Sequence, residues 1–389
     1  MLSRVAIPWL AALLLNATPL QMAALLVADV AAAALGSLLL GGLIDRSGKR
    51  AVMLVCDALR CAVLALLALA TWRGWIGFSL LLAGAAASGL LSVAFELARS
   101  AWIAQSVAAA DLPRRNAQLS AAGSLSETAA FALGGWLYQG LGAALALAVD
   151  AVSFAASALA LRGVREVAPA PDRTVAGAGW RGPIDDVGAG MHCVARHPAL
   201  RALAGIEGLV AFGMSLAGTS YMIFVSRDLA LPTGLLGMVF ALGGVGAMLG
   251  AMLAPRLGRR LGPGRAMACG LAALAIGAAL APLAASVVPV ALALLVAQQV
   301  IGDAGHTLHD VHDRTLRQTA VPPHLLARVD AGIRSVGHLA TLAGAAAGGL
   351  LGTAFGTRDV LALAAVSFAL AAALAALTLA RRAVPAAAA

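Results

Sequence analysis

Two carboxylates lie deep inside long apolar runs: Asp29 in the run from about 20 to 44, and Glu127 in the run from about 117 to 138. If the runs are helices, Asp29 is about 13 Å and Glu127 about 15 Å along them at ~1.5 Å per residue. A charged carboxyl group in the middle of a hydrocarbon layer costs about 2.5 to 3.5 kcal/mol on insertion scales. Desolvation favours its neutral form, so such a group can take a proton facing one side of a barrier and lose it facing the other. The competing role for each is a hydrogen-bonding tie between helices. Asp57 and Arg60, one turn apart, read as a self-neutralising structural ion pair. Asp150 reads as a packing contact. Glu207, Asp303, Arg334 and His338 fall in later apolar runs, where they can line a polar cavity. Arg334 and His338, four apart, share a helix face suited to an anion, although Arg334 is close enough to a polar boundary to snorkel.

The densest polar stretch, GDAGHTLHDVHDR at 302 to 314, places His306, Asp310 and Asp313 on one helical face with metal-capable ligands. It sits at the end of an apolar run, where charges are solvated cheaply, so solvated charges and no resident metal are expected. The four cysteines, Cys56, Cys61, Cys193 and Cys269, lack metal-ligand spacing and read as small buried hydrophobes. No nucleophile elbow, phosphate loop or metalloprotease motif appears, which argues against an enzyme and calls for no cofactor.

The elements that position these groups follow from composition. Of 389 residues, 61% are hydrophobic and 12% charged, against about 25% charged in soluble domains. The apolar runs are long enough for helices to cross a hydrocarbon core of about 30 Å, and they do not alternate as barrel strands would. Twelve spans are expected, at about 2–15, 20–44, 51–71, 76–97, 117–138, 141–161, 202–225, 234–254, 266–284, 287–305, 331–355 and 360–380. The net charge of +9 is a topology signal and not a nucleic-acid footprint. Nearly all the bases fall on one side of a twelve-span chain, and only Arg73, Arg227 and Arg358 on the other. That places the carboxyl end and the 45–50 loop in the cytoplasm. The six tryptophans, Trp9, Trp72, Trp75, Trp102, Trp136 and Trp180, lie mostly near span ends as interfacial anchors.

A shift of 214 residues lays the chain on itself: Arg114 falls on Arg328, Gly134 and Gly135 on Gly348 and Gly349, and AVSFA at 151–155 on AVSFA at 365–369. Two six-helix halves repeated in the same sense imply an axis along the membrane normal and a substrate site near the midplane. The expected architecture is an all-α integral membrane bundle. Its parts are an amino-terminal half over 1–161, a cytoplasmic linker with an amphipathic segment over 162–200, a carboxyl-terminal half over 201–382 and a tail over 383–389. Within the linker, Ile184, Val187, Met191 and Val194 follow helical spacing suited to the membrane surface. The seventh span begins near Ala202, so its counterpart would start before Met1, and the first helix reads as truncated.

The stretch GGLIDRSGKR at 41–50 resembles the signature loop of the major facilitator superfamily, through Gly41, Asp45, Arg46, Gly48, Lys49 and Arg50. Gly41 permits close helix approach and Gly48 a tight turn. Asp45 can accept hydrogen bonds from a helix amino end or from arginines, and the bases can anchor at anionic headgroups. The resemblance implies a latch holding the cytoplasmic faces of the halves together in one state. In the second copy Arg259 stands where Asp45 stands, so the latch is one-sided.

FELARSAWIAQ at 95–105, LPRRNAQLS at 112–120, VDAVSFAAS at 149–157, GMHCVARHPALRAL at 190–203 and LRQTAVPPHLLARVDA at 316–331 are similar to the branch of transmembrane secretion effectors, enterobactin exporters and macrolide efflux pumps. That branch implies proton-coupled export of a small amphipathic molecule by a monomer in the bacterial inner membrane. Where efflux members often carry Gly-Pro in the fifth span, this chain has Ala130 and Phe131. Alternatives are inward movement of a lipid-like or nutrient substrate on the same fold, or a transport-inactive sensor or scaffold.

Overall fold

The computed structural model describes residues 3–106, 111–163, 181–285, 287–321 and 323–379; for Gly41, Asp45, Arg46, Glu127, Ile184 and Val187 it describes the backbone alone. Every regular element among the described residues is helical. The helices are α1 (Ser3–Trp9, continued by a wider turn, Leu10–Leu14), α2 (Pro19–Arg46), α3 (Lys49–Trp72), α4 (Phe78–Ser106), α5 (Leu112–Arg162), α6 (Arg181–Arg196) and α7 (Pro198–Ile223, continued by Phe224–Asp228). They are followed by α8 (Thr233–Leu261), α9 (Pro263–Leu280), α10 (Val288–Ala320), α11 (Pro323–Ala354) and α12 (Thr357–Thr378). Nine described helices are long and apolar enough to cross a membrane, so the chain is a multi-pass membrane protein.

One of the nine holds two of the expected spans. α5 is broken at Gly142, whose φ of 78° and ψ of 169° lie outside the helical region. Positive φ is costly for residues with a Cβ, so glycine places the break, within a few residues of the gap expected after position 138. α9 starts similarly: Gly262 turns the chain at φ 80° and Pro263 opens the helix, where a missing N–H costs nothing.

Several helices outrun their apolar stretches. α10, expected to end near 305, continues to Ala320. Hydropathy marks only the part surrounded by hydrocarbon. Beyond it the backbone still gains from helical hydrogen bonds, and Asp310 with Arg314 and Asp313 with Arg317 form pairs four residues apart at 2.9 and 2.7 Å.

The chain forms two compact units. Unit 1 comprises residues 1–17, 24–179 and 232–238; unit 2 comprises 18–23, 180–231 and 239–389. The two short exchanged pieces are themselves counterparts, since the 214-residue shift carries 18–23 onto 232–237. Contacts within the units keep the same register. In unit 1 a Cβ on Gly36 of α2 would stand 3.1 Å from Leu90 of α4, and in unit 2 a Cβ on Gly250 of α8 would stand 2.3 Å from the Ala304 oxygen of α10. The shift carries Gly36 onto Gly250 and Leu90 onto Ala304, so the repeat in sequence is a repeat in packing.

Close helix approach through small residues also joins α9 to α10, where a Cβ on Gly270 would meet the Gly305 oxygen at 2.8 Å and one on Gly277 the Gly302 nitrogen at 2.7 Å. The core of unit 2 gathers Leu200, Leu203, Ile206, Leu271, Val329 and Phe368.

Two sequence expectations are corrected. Trp9 is fully buried and stacks edge-on against Tyr138 at 5.6 Å, so it is a packing residue and not an interfacial anchor. Trp72 and Trp75 remain exposed, with the Arg73 guanidinium over both rings. Among the free cysteines only Cys56 is buried, while Cys269 is exposed. A thiol is small enough for either setting, and helix rotation decides which.

Candidate functional site

Asp29 sits ten residues into α2, about 15 Å along it, and is exposed. Its Oδ1 would lie 3.0 Å from a Cβ on Gly89 of α4, so the carboxylate rests in the notch left by a missing side chain. Glu127 lies in the first arm of α5, and its side chain is outside the described residues.

Asp57 and Arg60 approach at 3.7 Å. Asp57 also accepts a 2.6 Å hydrogen bond from Ser157 of α5. The Arg60 guanidinium lies over the rings of Phe95 and Phe154, 5.3 and 5.1 Å from their centroids, an arrangement that favours a desolvated cation. The counterparts of Asp57, Arg60 and Ser157 in unit 2 are Leu271, Leu274 and Ala371, all buried. The same helix contacts are therefore polar in one half and apolar in the other. Asp150, 1% exposed, accepts from the Ser153 hydroxyl at 3.1 Å.

Gly41, Asp45 and Arg46, expected at the start of a loop, lie in the last turns of α2, and the side chains of Asp45 and Arg46 are outside the described residues. Gly48 is extended, with ψ 116°, and precedes α3. Lys49 differs from the expected headgroup anchor. It is 2% exposed, and its Nζ donates to the Ile44 and Ser47 oxygens at 2.7 and 3.1 Å, adding a charged donor to carbonyls where α2 ends. Arg50 likewise turns inward, donating through Nε to the Leu161 oxygen at 3.0 Å and through Nη2 to the Arg162 oxygen. Both bases are spent on helix carboxyl ends, where a cation complements the dipole.

Unit 2 contains a cluster that sequence reasoning missed. Arg317 of α10, 7% exposed, binds Asp313 at 2.7 Å and Glu207 of α7 at 3.0 Å, with Asp330 of α11 at 3.7 Å. His309 and Asp313 are buried beside it, at 4% and 5% exposure, and His312, 5% exposed, is buried against α8, 2.7 Å from a Cβ position on Gly258. The solvated charges expected for 302–314 are thus corrected for these three: α10 continues as helix and turns them inward, while the Asp310–Arg314 pair stays outside. His306 and His309 are 6.2 Å apart between ring centroids. Among the described residues no three His, Cys, Asp or Glu side chains converge as a metal site. The available signal was the spacing of Asp313 and Arg317, four apart on a helix that carries a further carboxylate pair.

Glu207 also faces Gly337, where a Cβ would stand 3.0 Å from its Oε1. Arg334 and His338 are exposed, and Arg317 is the base that Glu207 binds. Asp303 presses on α8, where a Cβ on Gly243 would stand 2.1 Å from its Oδ2 and 3.1 Å from the Gln299 amide nitrogen. Gln299 accepts from Gln298, which accepts from the Tyr221 hydroxyl at 2.8 Å. α6 packs closely on α11, a Cβ on Gly190 reaching within 1.9 Å of the Arg328 oxygen, with Val194 buried.

Two helical units with glycine-packed spans and charges buried between helices are the architecture of a membrane transporter. The chain belongs to the Major Facilitator Superfamily, whose family model matches residues 1–329. It is a transporter and not an enzyme. No curated protein sequence matches it. Among solved structures it is similar to nucleoside transporter NupG, with 13% identity, TM-score 0.75 and coverage of 95% of this chain and 93% of that one. It is similar to a bacterial homologue of the iron transporter ferroportin in the inward-facing state, with 19% identity, TM-score 0.69 and coverage of 98% and 96%. It also resembles a bacterial homologue of the human lysosomal transporter Spinster, inward-facing and unoccupied, with 16% identity, TM-score 0.70 and coverage of 97% and 93%. At these identities the likeness is one of fold.

Proposed function

We propose that this transporter exports a small amphipathic molecule, of the drug, siderophore or secondary-metabolite kind, across the bacterial inner membrane by alternating access in exchange for protons. The observation that carries this reading is Asp29. An intramembrane carboxylate is expensive, and this one is seated in mid-span against a bare glycine. Glu127 is the second proposed proton carrier, and Glu207, Asp303, Arg334 and His338 are proposed to flank the substrate path. The stretches similar to exporters support the outward direction. The junction of α2 and α3 that includes Asp45 is the proposed latch, with Lys49 and Arg50 fixing its base to two helix ends. The carboxyl terminus is placed in the cytoplasm and the working unit is taken as a monomer.

The driving force suffices. One proton crossing ~150 mV gains about 3.5 kcal/mol, enough for a few-hundred-fold substrate gradient. The test is flux of an amphipathic fluorescent dye panel in proteoliposomes containing the full chain under an imposed pH gradient. Dye movement opposite to the proton gradient, reduced at least tenfold in Asp29→Asn, is expected. Flux indifferent to that gradient, or driven in the same direction as protons, overturns the reading.

A further inference from the structure

The 214-residue repeat carries Asp29 onto Gly243 and Gly89 onto Asp303. These four residues form two matching contacts. In unit 1 the Asp29 carboxylate of α2 faces Gly89 of α4, its Oδ1 at 3.0 Å from a Cβ position; in unit 2 the Asp303 carboxylate of α10 faces Gly243 of α8, its Oδ2 at 2.1 Å. The helix pairs are equivalent and so are the positions on them. Only the helix that supplies the acid has been exchanged.

We propose that each half carries its own proton-binding carboxylate at this point, Asp29 in unit 1 and Asp303 in unit 2. The proposal rests on the proton-coupled reading given above and adds a second, equivalent site to it.

A structural role tied to one helix would place the aspartate at the same repeat position in both copies. A role tied to a point in space lets either helix supply the group, provided the other gives way. Glycine gives way, because a Cβ on the facing helix would occupy the place of the carboxylate oxygen. Two intramembrane acids, each costly, at equivalent points of duplicated helix pairs are the pattern that such a role leaves. Among the described residues no ion pair engages either carboxylate. Around Asp303 the titratable neighbours are His306, one turn along α10, and Tyr221 of α7, while α8 presents Gly243 and the Gln299 amide lies alongside. In unit 1 the same Gly89 position of α4 also lies 3.3 Å from the Ala32 methyl of α2.

The test is infrared difference spectroscopy of the full chain in liposomes during a pH titration, reading the carbonyl stretch of protonated carboxyl groups. Two titrating carboxyl signals are expected from these sites, one lost in Asp29→Asn, the other in Asp303→Asn and both in the double variant. The exchange D29G/G89D, which gives unit 1 the arrangement of unit 2, is expected to restore the lost signal. Variants are compared as monodisperse protein, and the isosteric Asn substitutions stand alone if the exchange does not fold. Loss of a signal in only one of the two Asn variants, or in neither, overturns the proposal. Because no substrate is needed, two signals in a protein without pH-driven flux would sink the coupling reading and leave the paired sites standing. Where flux is measured, protons moved per substrate are expected to fall by one in either single variant.

Discussion

The Ser157 hydroxyl donates a 2.6 Å hydrogen bond to the Asp57 carboxylate, joining α3 to the second arm of α5 across 100 residues of chain. With Arg60 between two phenylalanine rings, this makes a buried polar cluster where the other half has Leu271, Leu274 and Ala371. Removing one member of a buried pair leaves an uncompensated charge, so Asp57→Ala or Arg60→Ala is expected to cost about 3 to 5 kcal/mol. The triple variant D57L/R60L/S157A, which imports the chemistry of the other half, is expected to be near neutral. Thermal unfolding midpoints in detergent check both.

Arg317 is the centre of the carboxylate cluster in unit 2. Arg317→Ala strands Asp313, whose side chain is 6% exposed, and is expected to destabilise by about 3 to 5 kcal/mol. Asp330, 37% exposed and 3.7 Å away, contributes little: Asp330→Asn is expected to change stability by about 0 to 1 kcal/mol. The same unfolding measurement separates them.

Lys49 closes the end of α2 from inside. Lys49→Met keeps the apolar stem but leaves the Ile44 and Ser47 carbonyls without this donor, at an expected cost of about 1 to 3 kcal/mol. Hydrogen exchange at the end of α2 and the start of α3 is expected to rise in this variant and to stay unchanged in the distant Arg73→Met.

Gly270 and Gly123 make an internally controlled pair. A Cβ at Gly270 meets backbone at 2.8 Å, whereas at Gly123 none of the described residues lies within 4 Å. Gly270→Ala is expected to lose about 1 to 3 kcal/mol by forcing α9 from α10. Gly123→Ala is expected to be neutral or to gain about 0.4 to 1 kcal/mol. Equal effects on the unfolding midpoint would contradict the packing assigned to α9 and α10.

Reading the sequence located the spans because an apolar run is a local property with a length set by the bilayer. It missed where α10 ends, since polar residues that pair along a helix continue it past the hydrocarbon. It misplaced Trp9 and Lys49 for a related reason: residue type fixes what a side chain prefers, while helix rotation fixes what it meets. Trp9 meets Tyr138, and Lys49 meets the end of its neighbouring helix.

The sequence by itself determined that the chain is a duplicated bundle of membrane helices, because run length, charge asymmetry and a 214-residue self-match survive without coordinates. It also marked Asp29 and Glu127 as costly groups and Asp303 as a cavity residue. Only the tertiary structure decided that Asp29 and Asp303 each face the glycine standing at the other's repeat position, and that Arg317 gathers carboxylates from α7, α10 and α11. Partners on different helices are chosen by how those helices rotate and approach, and that is set by packing of the whole unit, not by any stretch of sequence within it.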